Sequence, residues 1–159
     1  MDILSMKDRD SYFLASIAAL IEHEPFVREV FDEEIKITKT GAYKLRLNNK
    51  GMPKEIIIDD YLPVYKSNHK RAVFCHIDPS LIWVPLLEKA YAKIHRGYDK
   101  IQYGFAHEVL STFSLAPCIY QTILTDFRQE EQEKCWNTLL EAYESRFPCV
   151  VGSRKEYTC

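Results

Sequence analysis

The sequence predicts an α+β domain in which a central buried helix is combined with further helices and a small antiparallel sheet. Three observations support this fold class: a helix-length apolar segment after Ser11, two strand-like segments near residue 50, and helical apolar spacing in the second half of the chain. The chain has 159 residues and is 47% hydrophobic, which is enough for a real core and excludes a disordered chain. We expect one domain over residues 1–152, followed by a C-terminal tail or truncated link at 153–159.

The predicted central helix covers residues 11–23. Asp10 and Ser11 are both plausible N-caps, because their short side-chain oxygens can accept hydrogen bonds from the first helical amides. The following residues are apolar almost all round, and a helix without a polar face must lie inside a protein. A second short helix is predicted from Pro25 to Phe31.

A hairpin is predicted next. Apolar and polar residues alternate over 43–48, which is typical of a half-buried strand, and Gly51 lies in the expected turn. The return strand is predicted at 55–59. Residues 64–72 are polar and basic, and we expect an exposed loop there.

Helical spacing returns after residue 82. An apolar stripe runs from Trp83 to Ile94, with Pro85 in the first turn, where proline is tolerated, and Gly97 as a natural stop. A short helix is predicted at 106–113 and an amphipathic helix at 129–145, followed by a strand at 147–151. The residues of the amphipathic helix expected to face inward are Trp136, Leu139, Leu140 and Tyr143.

Composition excludes several functions. The net charge is -2 and no basic stripe is present, so nothing favours nucleic acid or an anionic membrane as a partner. No apolar run approaches the length of about 18 residues that a membrane span needs, and no signal peptide is recognisable. The chain has 5 cysteines, an odd number, and none of them are spaced as the ligands of a zinc site are. This favours free thiols in a reducing compartment. We therefore expect a cytoplasmic protein, with any cytoskeletal or membrane association supplied by other domains.

Three segments carry a resemblance to a known family. Residues 10–15 read Asp-Ser-Tyr-Phe-Leu-Ala, residues 58–63 read Ile-Asp-Asp-Tyr-Leu-Pro, and residues 83–93 read Trp-Val-Pro-Leu-Leu-Glu-Lys-Ala-Tyr-Ala-Lys. In order and spacing they resemble the Asp-Cys-Trp-Phe-Leu-Ala, Asp-Asp-x-Leu-Pro and Trp-x-x-Leu-Leu-Glu-Lys-Ala-Tyr-Ala-Lys segments of the calpain family of papain-like cysteine proteases. The resemblance spans roughly residues 5 to 152.

The resemblance implies the first of two protease subdomains that face each other across a cleft, the second of which carries the family's histidine and asparagine. Ser11 would then hold the position of the cysteine nucleophile and Ser5 the position of the oxyanion-hole glutamine. Gly104 matches a family glycine whose backbone contacts the substrate peptide. Asp2 falls near a family calcium ligand, whereas Leu81 occupies a calcium-ligand position and offers no oxygen. We therefore expect no cofactor.

These departures predict an inactive protease domain, although the family's activity is that of a cysteine endopeptidase. A helix N-terminus can lower the pKa of a thiol, but it cannot ionise a serine hydroxyl near neutral pH, and serine needs a well-placed base. The further change at Ser5 favours natural degeneration over an engineered substitution at Ser11. Such degenerate sites are similar to those of calpain-like proteins of protists, and we expect a source of that kind.

Other interpretations stay open. The chain could be a fragment, or a Cys-to-Ser variant, of an active calcium-dependent cysteine endopeptidase. If it is inactive, we expect a protein-interaction or regulatory module whose partner is a protein, a peptide or a second protease subdomain. For Asp59 and Asp60 we expect pairing with a nearby basic residue rather than cation binding, and for Glu88 a structural role. Cys75 and His76 are adjacent in an extended segment and are not expected to form a dyad.

Overall fold

The computed structural model describes residues 11–22, 29–31, 40–65, 68–72, 82–122 and 128–152. Over these residues four α-helices combine with two short antiparallel sheets, which confirms the predicted α+β class. The predicted helix from Pro25 to Phe31 falls mostly outside the described residues. No described helix is long and apolar enough to cross a membrane.

Helix α1 spans Ser11–Ile21 and supplies the centre of the core. Phe13 and Ile17 are almost completely buried, together with the small polar residue Ser16. The expectation of burial on all sides is wrong for one side, because Ser11, Ala15 and other residues at helical spacing are exposed. Small side chains occupy this exposed side, so composition alone did not reveal it.

Strands β1 (Ala42–Asn49) and β2 (Met52–Asp59) form the predicted hairpin, with Ala42 paired to Asp59 and Asn49 to Met52. The connection is the two-residue turn Lys50–Gly51, in which both residues have positive φ. This is the turn whose twist matches that of a hairpin. The alternation predicted over residues 43–48 is confirmed, because Tyr43, Leu45 and Leu47 are buried and the polar residues between them are exposed or half-buried.

A second hairpin replaces a predicted loop. Strand β3 (Val64–Tyr65) pairs antiparallel with β4 (Asn68–Ala72). The loop prediction for residues 64–72 is therefore wrong. Main-chain pairing does not require apolar side chains, and a polar hairpin leaves no alternation that distinguishes it from a loop.

Helix α2 spans Trp83–Ile94, as predicted, and is followed by a 3-10 turn at Tyr98–Lys100. Its end is a Schellman motif, in which the Gly97 amide donates to the Ala92 carbonyl at 2.9 Å and the Arg96 amide donates to the Lys93 carbonyl. Arg96 takes the left-handed conformation. The helix therefore stops beside the glycine that the sequence suggested.

The last two helices are α3 (Ala106–Ser114) and α4 (Gln129–Glu144). Cys135 is the buried residue of α4, whereas Trp136 is 60% and Tyr143 79% exposed, and Leu140 is also exposed. The inward orientation predicted for these three side chains is wrong, while Leu139 is half-buried. Amphipathic spacing identifies the apolar side of a helix but not the surface that covers it.

The predicted strand at 147–151 is also wrong, since residues 147–152 are irregular and are not assigned to a strand. Val150 packs against the core, while Phe147 and Val151 are exposed. Exposed and half-buried residues therefore alternate along this segment, as the sequence pattern suggested. Main-chain pairing, which would complete a strand, is not formed within the described residues.

The core is centred on three aromatic rings, from three helices, that contact one another. The ring centroid of Phe13 lies 5.4 Å from that of Tyr91 and 6.0 Å from that of Phe113, and the Tyr91 and Phe113 centroids are 6.1 Å apart. Aromatic pairs at these separations add stability beyond the burial of their area. The start of α1 is thereby anchored to α2 and α3.

Candidate active site

Ser11 is the first residue of α1 and its side chain is exposed. At this position the unpaired amides of the first turn create a partial positive charge. That charge would stabilise a thiolate, but the hydroxyl of Ser11 stays protonated near neutral pH. The position therefore combines the partial positive charge of a helix N-terminus with an exposed hydroxyl rather than a thiol.

Gly104 lies against the same end of α1. A Cβ atom built on Gly104 would lie 2.6–2.9 Å from the Cε2, Cζ and hydroxyl oxygen atoms of Tyr12. The structure thus brings Gly104 next to the residue that follows Ser11. Its role in binding a substrate peptide stays a prediction, and the Tyr12 ring supplies a separate reason for a glycine here.

Ser5, Asp2 and Leu81 lie outside the described residues, as do Cys75 and His76. The predicted roles of these positions therefore stay predictions. Across the part of the chain that the structure describes, no group of three or more His, Cys, Asp or Glu side chains could hold a metal ion.

The predicted pairing of Asp59 with a basic residue is confirmed. Lys89 donates to the Asp59 carboxylate at 2.5 Å, to the Asp59 carbonyl at 3.1 Å and to the Tyr61 carbonyl at 2.6 Å. The hydrogen bond from Lys89 holds the pKa of Asp59 below its ordinary value. The ammonium group thus occupies the space between oxygens that a cation would otherwise need, and it ties α2 to the end of β2.

Glu88, the neighbour of Lys89 in the same motif, is 2% exposed. Burial raises the pKa of Tyr98, and the negative charge of Glu88 raises it further. These observations agree with the structural role expected for Glu88, since a carboxylate enclosed in this way does not face solvent or a substrate.

His95 packs beside the three core rings of Phe13, Tyr91 and Phe113. Its ring centroid lies 4.3 Å from that of Tyr91. Burial lowers the pKa of His95, and the negative charge of Glu108 opposes this shift. A histidine with a lowered pKa in the folded state binds a proton more readily in the unfolded chain. Its contribution to stability is therefore present above the ordinary histidine pKa of about 6.5 and is lost as the pH falls.

We expect the urea concentration at the unfolding midpoint to decrease when the pH is lowered from about 7.5 to about 5.5. Part of this decrease should come from His95. His95→Phe keeps a ring against Tyr91 and removes the titrating group. The variant should show a shallower pH dependence than the parent chain in parallel urea titrations followed by circular dichroism. Identical slopes for the two proteins would show that His95 does not contribute.

Sequence reasoning missed an aromatic group that follows Gly104. The ring centroid of His107 lies 5.5 Å from that of Phe105 and 4.8 Å from that of Tyr120, and Phe105 and Tyr120 are both exposed. Aromatic character at Phe105 and Tyr120 was the available signal. Their separation by 15 positions, part of it irregular, gave no periodic pattern that would place them together.

Comparisons with known proteins agree with the sequence motifs. A family model described as calpain family cysteine protease matches residues 1–158. Calpain-7 of Sus scrofa is 35% identical over 102 residues, which cover 57% of this chain and 12% of that protein. Calpain-7 of Homo sapiens is 41% identical over 70 residues, which cover 43% of this chain and 8% of that protein.

A calpain-like protease of Neurospora crassa is 30% identical over 117 residues, which cover 72% of this chain and 12% of that protein. The chain therefore matches only a small part of the length of each relative. The match concerns the protease-type region, and the activity of a whole relative does not transfer with it.

Proposed function

The chain belongs to the calpain family of cysteine proteases, and from that premise we propose that it is a catalytically inactive first subdomain of a calpain-type protease core. In this proposal it acts as a protein-interaction or regulatory module. The observation that carries the proposal is the exposed serine at the first residue of α1, where this fold would place a cysteine nucleophile.

Chemistry at Ser11 would need an imidazole within hydrogen-bond reach as a general base. The two histidines with described side chains make other contacts: His95 packs on Tyr91, and His107 packs between Phe105 and Tyr120. A hydroxyl at a helix N-terminus without such a base has no route to an alkoxide near neutral pH. Neither of these two histidines is therefore assigned as the base for Ser11, and the proposal rests on serine in place of cysteine at position 11.

A surface suited to a partner lies on α4 and the segment after it. Trp136, Leu140 and Tyr143 follow one another at helical spacing and are all exposed, and Phe147 and Val151 continue the exposed apolar residues along the chain. Tryptophan and tyrosine are the side chains that most often anchor protein interfaces. We propose this α4 surface as the contact with a protein partner.

The partner we favour is a second protease subdomain of the same polypeptide. The matched relatives are far longer than the region they share with this chain, so a calpain-type protein has ample sequence to cover the α4 surface. Exposed and half-buried residues alternate over 147–151, as they do in a strand at the edge of a sheet. A strand from the second subdomain could pair with the main chain of this segment. A separate protein that covers the same surface is the alternative.

The test compares the chain with Ser11→Ala and Ser11→Cys in a peptide-cleavage assay, each with and without added calcium. We expect no cleavage by the parent chain or by Ser11→Ala. Cleavage by the parent chain that Ser11→Ala abolishes would overturn the proposal in favour of a serine-based hydrolase. Equal cleavage by the parent chain and both variants would indicate a contaminating protease rather than activity of residue 11.

Ser11→Cys also tests the electrostatic character of the site. Its thiol should react with iodoacetamide faster at pH 7 than the thiol of Ser145→Cys, which is exposed after the opposite, negative end of a helix. Labelled positions are identified by mass spectrometry against the background of the native cysteines. Equal rates at the two positions would show that residue 11 lacks the environment of a nucleophile site.

The second candidate function is an active calcium-dependent cysteine endopeptidase, of which this chain would be a fragment or a Cys-to-Ser variant. Membership of the family favours it. A source gene that encodes cysteine at position 11 and a histidine and an asparagine further along would establish this alternative and overturn the inactive one.

A further inference from the structure

Two side chains of α1 hold the segment that leads into α3. Tyr12 and Ser16 are four positions apart, so they lie on the same side of the helix. The Tyr12 hydroxyl donates to the Ile101 carbonyl at 2.8 Å. The Ser16 hydroxyl lies 2.7 Å from the Tyr12 carbonyl and 3.2 Å from the Ala106 carbonyl. Residues 101–106 are therefore held at both ends by the first turns of α1.

Between these two attachments the Tyr12 ring fills the space beside Gly104. Any Cβ at residue 104 would overlap ring atoms of Tyr12 at 2.6–2.9 Å, which is closer than real Cβ contacts come. Gly104 does not have positive φ. The need for glycine is thus steric and comes from Tyr12, rather than from backbone conformation.

The Tyr12 hydroxyl also interacts with Tyr91. Burial raises the pKa of Tyr91, and a hydrogen bond to Tyr12 adds to this shift, as expected when the Tyr91 hydroxyl is the donor. Since Tyr12 donates its own proton to Ile101, it can accept from Tyr91. A single phenol thereby connects the central ring of α2, the start of α1 and the 101–104 segment.

We infer that Tyr12 is a positioning residue, which fixes the 101–104 segment against the start of α1 and requires glycine at position 104. Contacts within this chain then fix the position of Gly104 relative to residue 11, and no second subdomain is needed for this. That residue 11 and Gly104 correspond to a protease site rests on the proposed function. The positioning itself rests only on the contacts described here.

Tyr12→Phe separates positioning from packing, because it keeps the ring beside Gly104 and removes both hydroxyl hydrogen bonds. The readout is limited digestion with chymotrypsin, with the cleaved bonds identified by mass spectrometry. Tyr103, on the held segment, and Tyr61, which follows β2, are both strongly exposed and serve as reporter sites. We expect cleavage after Tyr103 to accelerate by about fivefold to tenfold, as the loss of one or two hydrogen bonds implies, with cleavage after Tyr61 unchanged.

Tyr43→Phe is the control, because Tyr43 is a buried tyrosine of β1 whose hydroxyl makes no hydrogen bond within the described residues. It should leave cleavage after Tyr103 unchanged. Equal acceleration at Tyr103 and Tyr61 in Tyr12→Phe, or none at either, would overturn the inference. These outcomes do not depend on proteolytic activity of the chain. Peptide cleavage that requires Ser11 would contradict the proposed function but would not affect the inference about Tyr12.

A double-mutant comparison tests the steric half of the inference. The fall in the urea midpoint caused by Gly104→Ala should be at least halved when Tyr12 is also replaced by alanine, because the overlapping ring is then absent. If the Tyr12→Ala chain does not fold, Tyr12→Phe still decides the question by digestion. An unchanged fall in the Tyr12→Ala background would show that Gly104 is required for another reason.

Discussion

Replacing Tyr91 by alanine is expected to reduce the free energy of unfolding by about 3–5 kcal/mol, the range observed when a buried aromatic ring is truncated. Tyr91 is 1% exposed, and its ring lies against Phe13, Phe113 and His95. Removing it leaves a cavity shared by three helices, which no neighbouring side chain can fill without leaving its own contacts. Since small domains are stable by only about 5–15 kcal/mol, a large part of the stability would be lost.

The measurement is urea denaturation followed by circular dichroism, with Tyr91→Phe as the matched control. The phenylalanine keeps the ring and removes the hydrogen bond to Tyr12, so we expect a loss of about 1 kcal/mol. A Tyr91→Ala variant as stable as Tyr91→Phe would mean that the contacts among the three rings contribute little, and that the hydroxyl rather than the ring matters at this position.

Replacing Gly104 by alanine is expected to destabilise the fold by about 1–3 kcal/mol, the usual result of overfilling a packed site. The added methyl group would meet Tyr12, which cannot move away without breaking its hydrogen bond to the Ile101 carbonyl. The strain therefore falls on the contact between α1 and the 101–104 segment rather than on a free side chain.

Gly152→Ala is the control for this second prediction, because nothing lies within 4 Å of a Cβ at that position. It should leave the thermal unfolding midpoint within about 1 °C of the parent value, whereas Gly104→Ala should lower it by several degrees. Equal midpoints for the two variants would contradict the steric argument.

Segments with strong periodicity were predictable from the sequence. The α2 helix has the predicted bounds because its apolar residues keep a period of 3.6 over three turns. The β1–β2 hairpin turns at Gly51 as predicted, although β2 begins at Met52, before the return strand predicted at 55–59. Burial of Leu45 and Leu47 beside exposed Arg46 follows from the same alternation. Local patterns of this kind are read directly from neighbouring residues.

Features that depend on distant residues were not predictable. Tyr12 and Gly104 are separated by 92 positions, and neither the hydrogen bond to Ile101 nor the overlap beside Gly104 leaves a local signal. The outward orientation of Trp136 was missed because it depends on which surface lies opposite α4. The candidate site was located by motif for Ser11, while the contacts that surround it required the fold.

The two lysines of the α2 motif have a consequence for self-association. Lys93 donates to the Ile57 carbonyl at 2.5 Å and Lys89 donates to the Asp59 carbonyl, so acceptors along the outer edge of β2 are already occupied by charged groups. An exposed strand edge is otherwise a template on which a second chain can add a strand and begin to polymerise. The residues that join helix to sheet therefore also cover carbonyls at the β2 edge, which disfavours the addition of a further strand there.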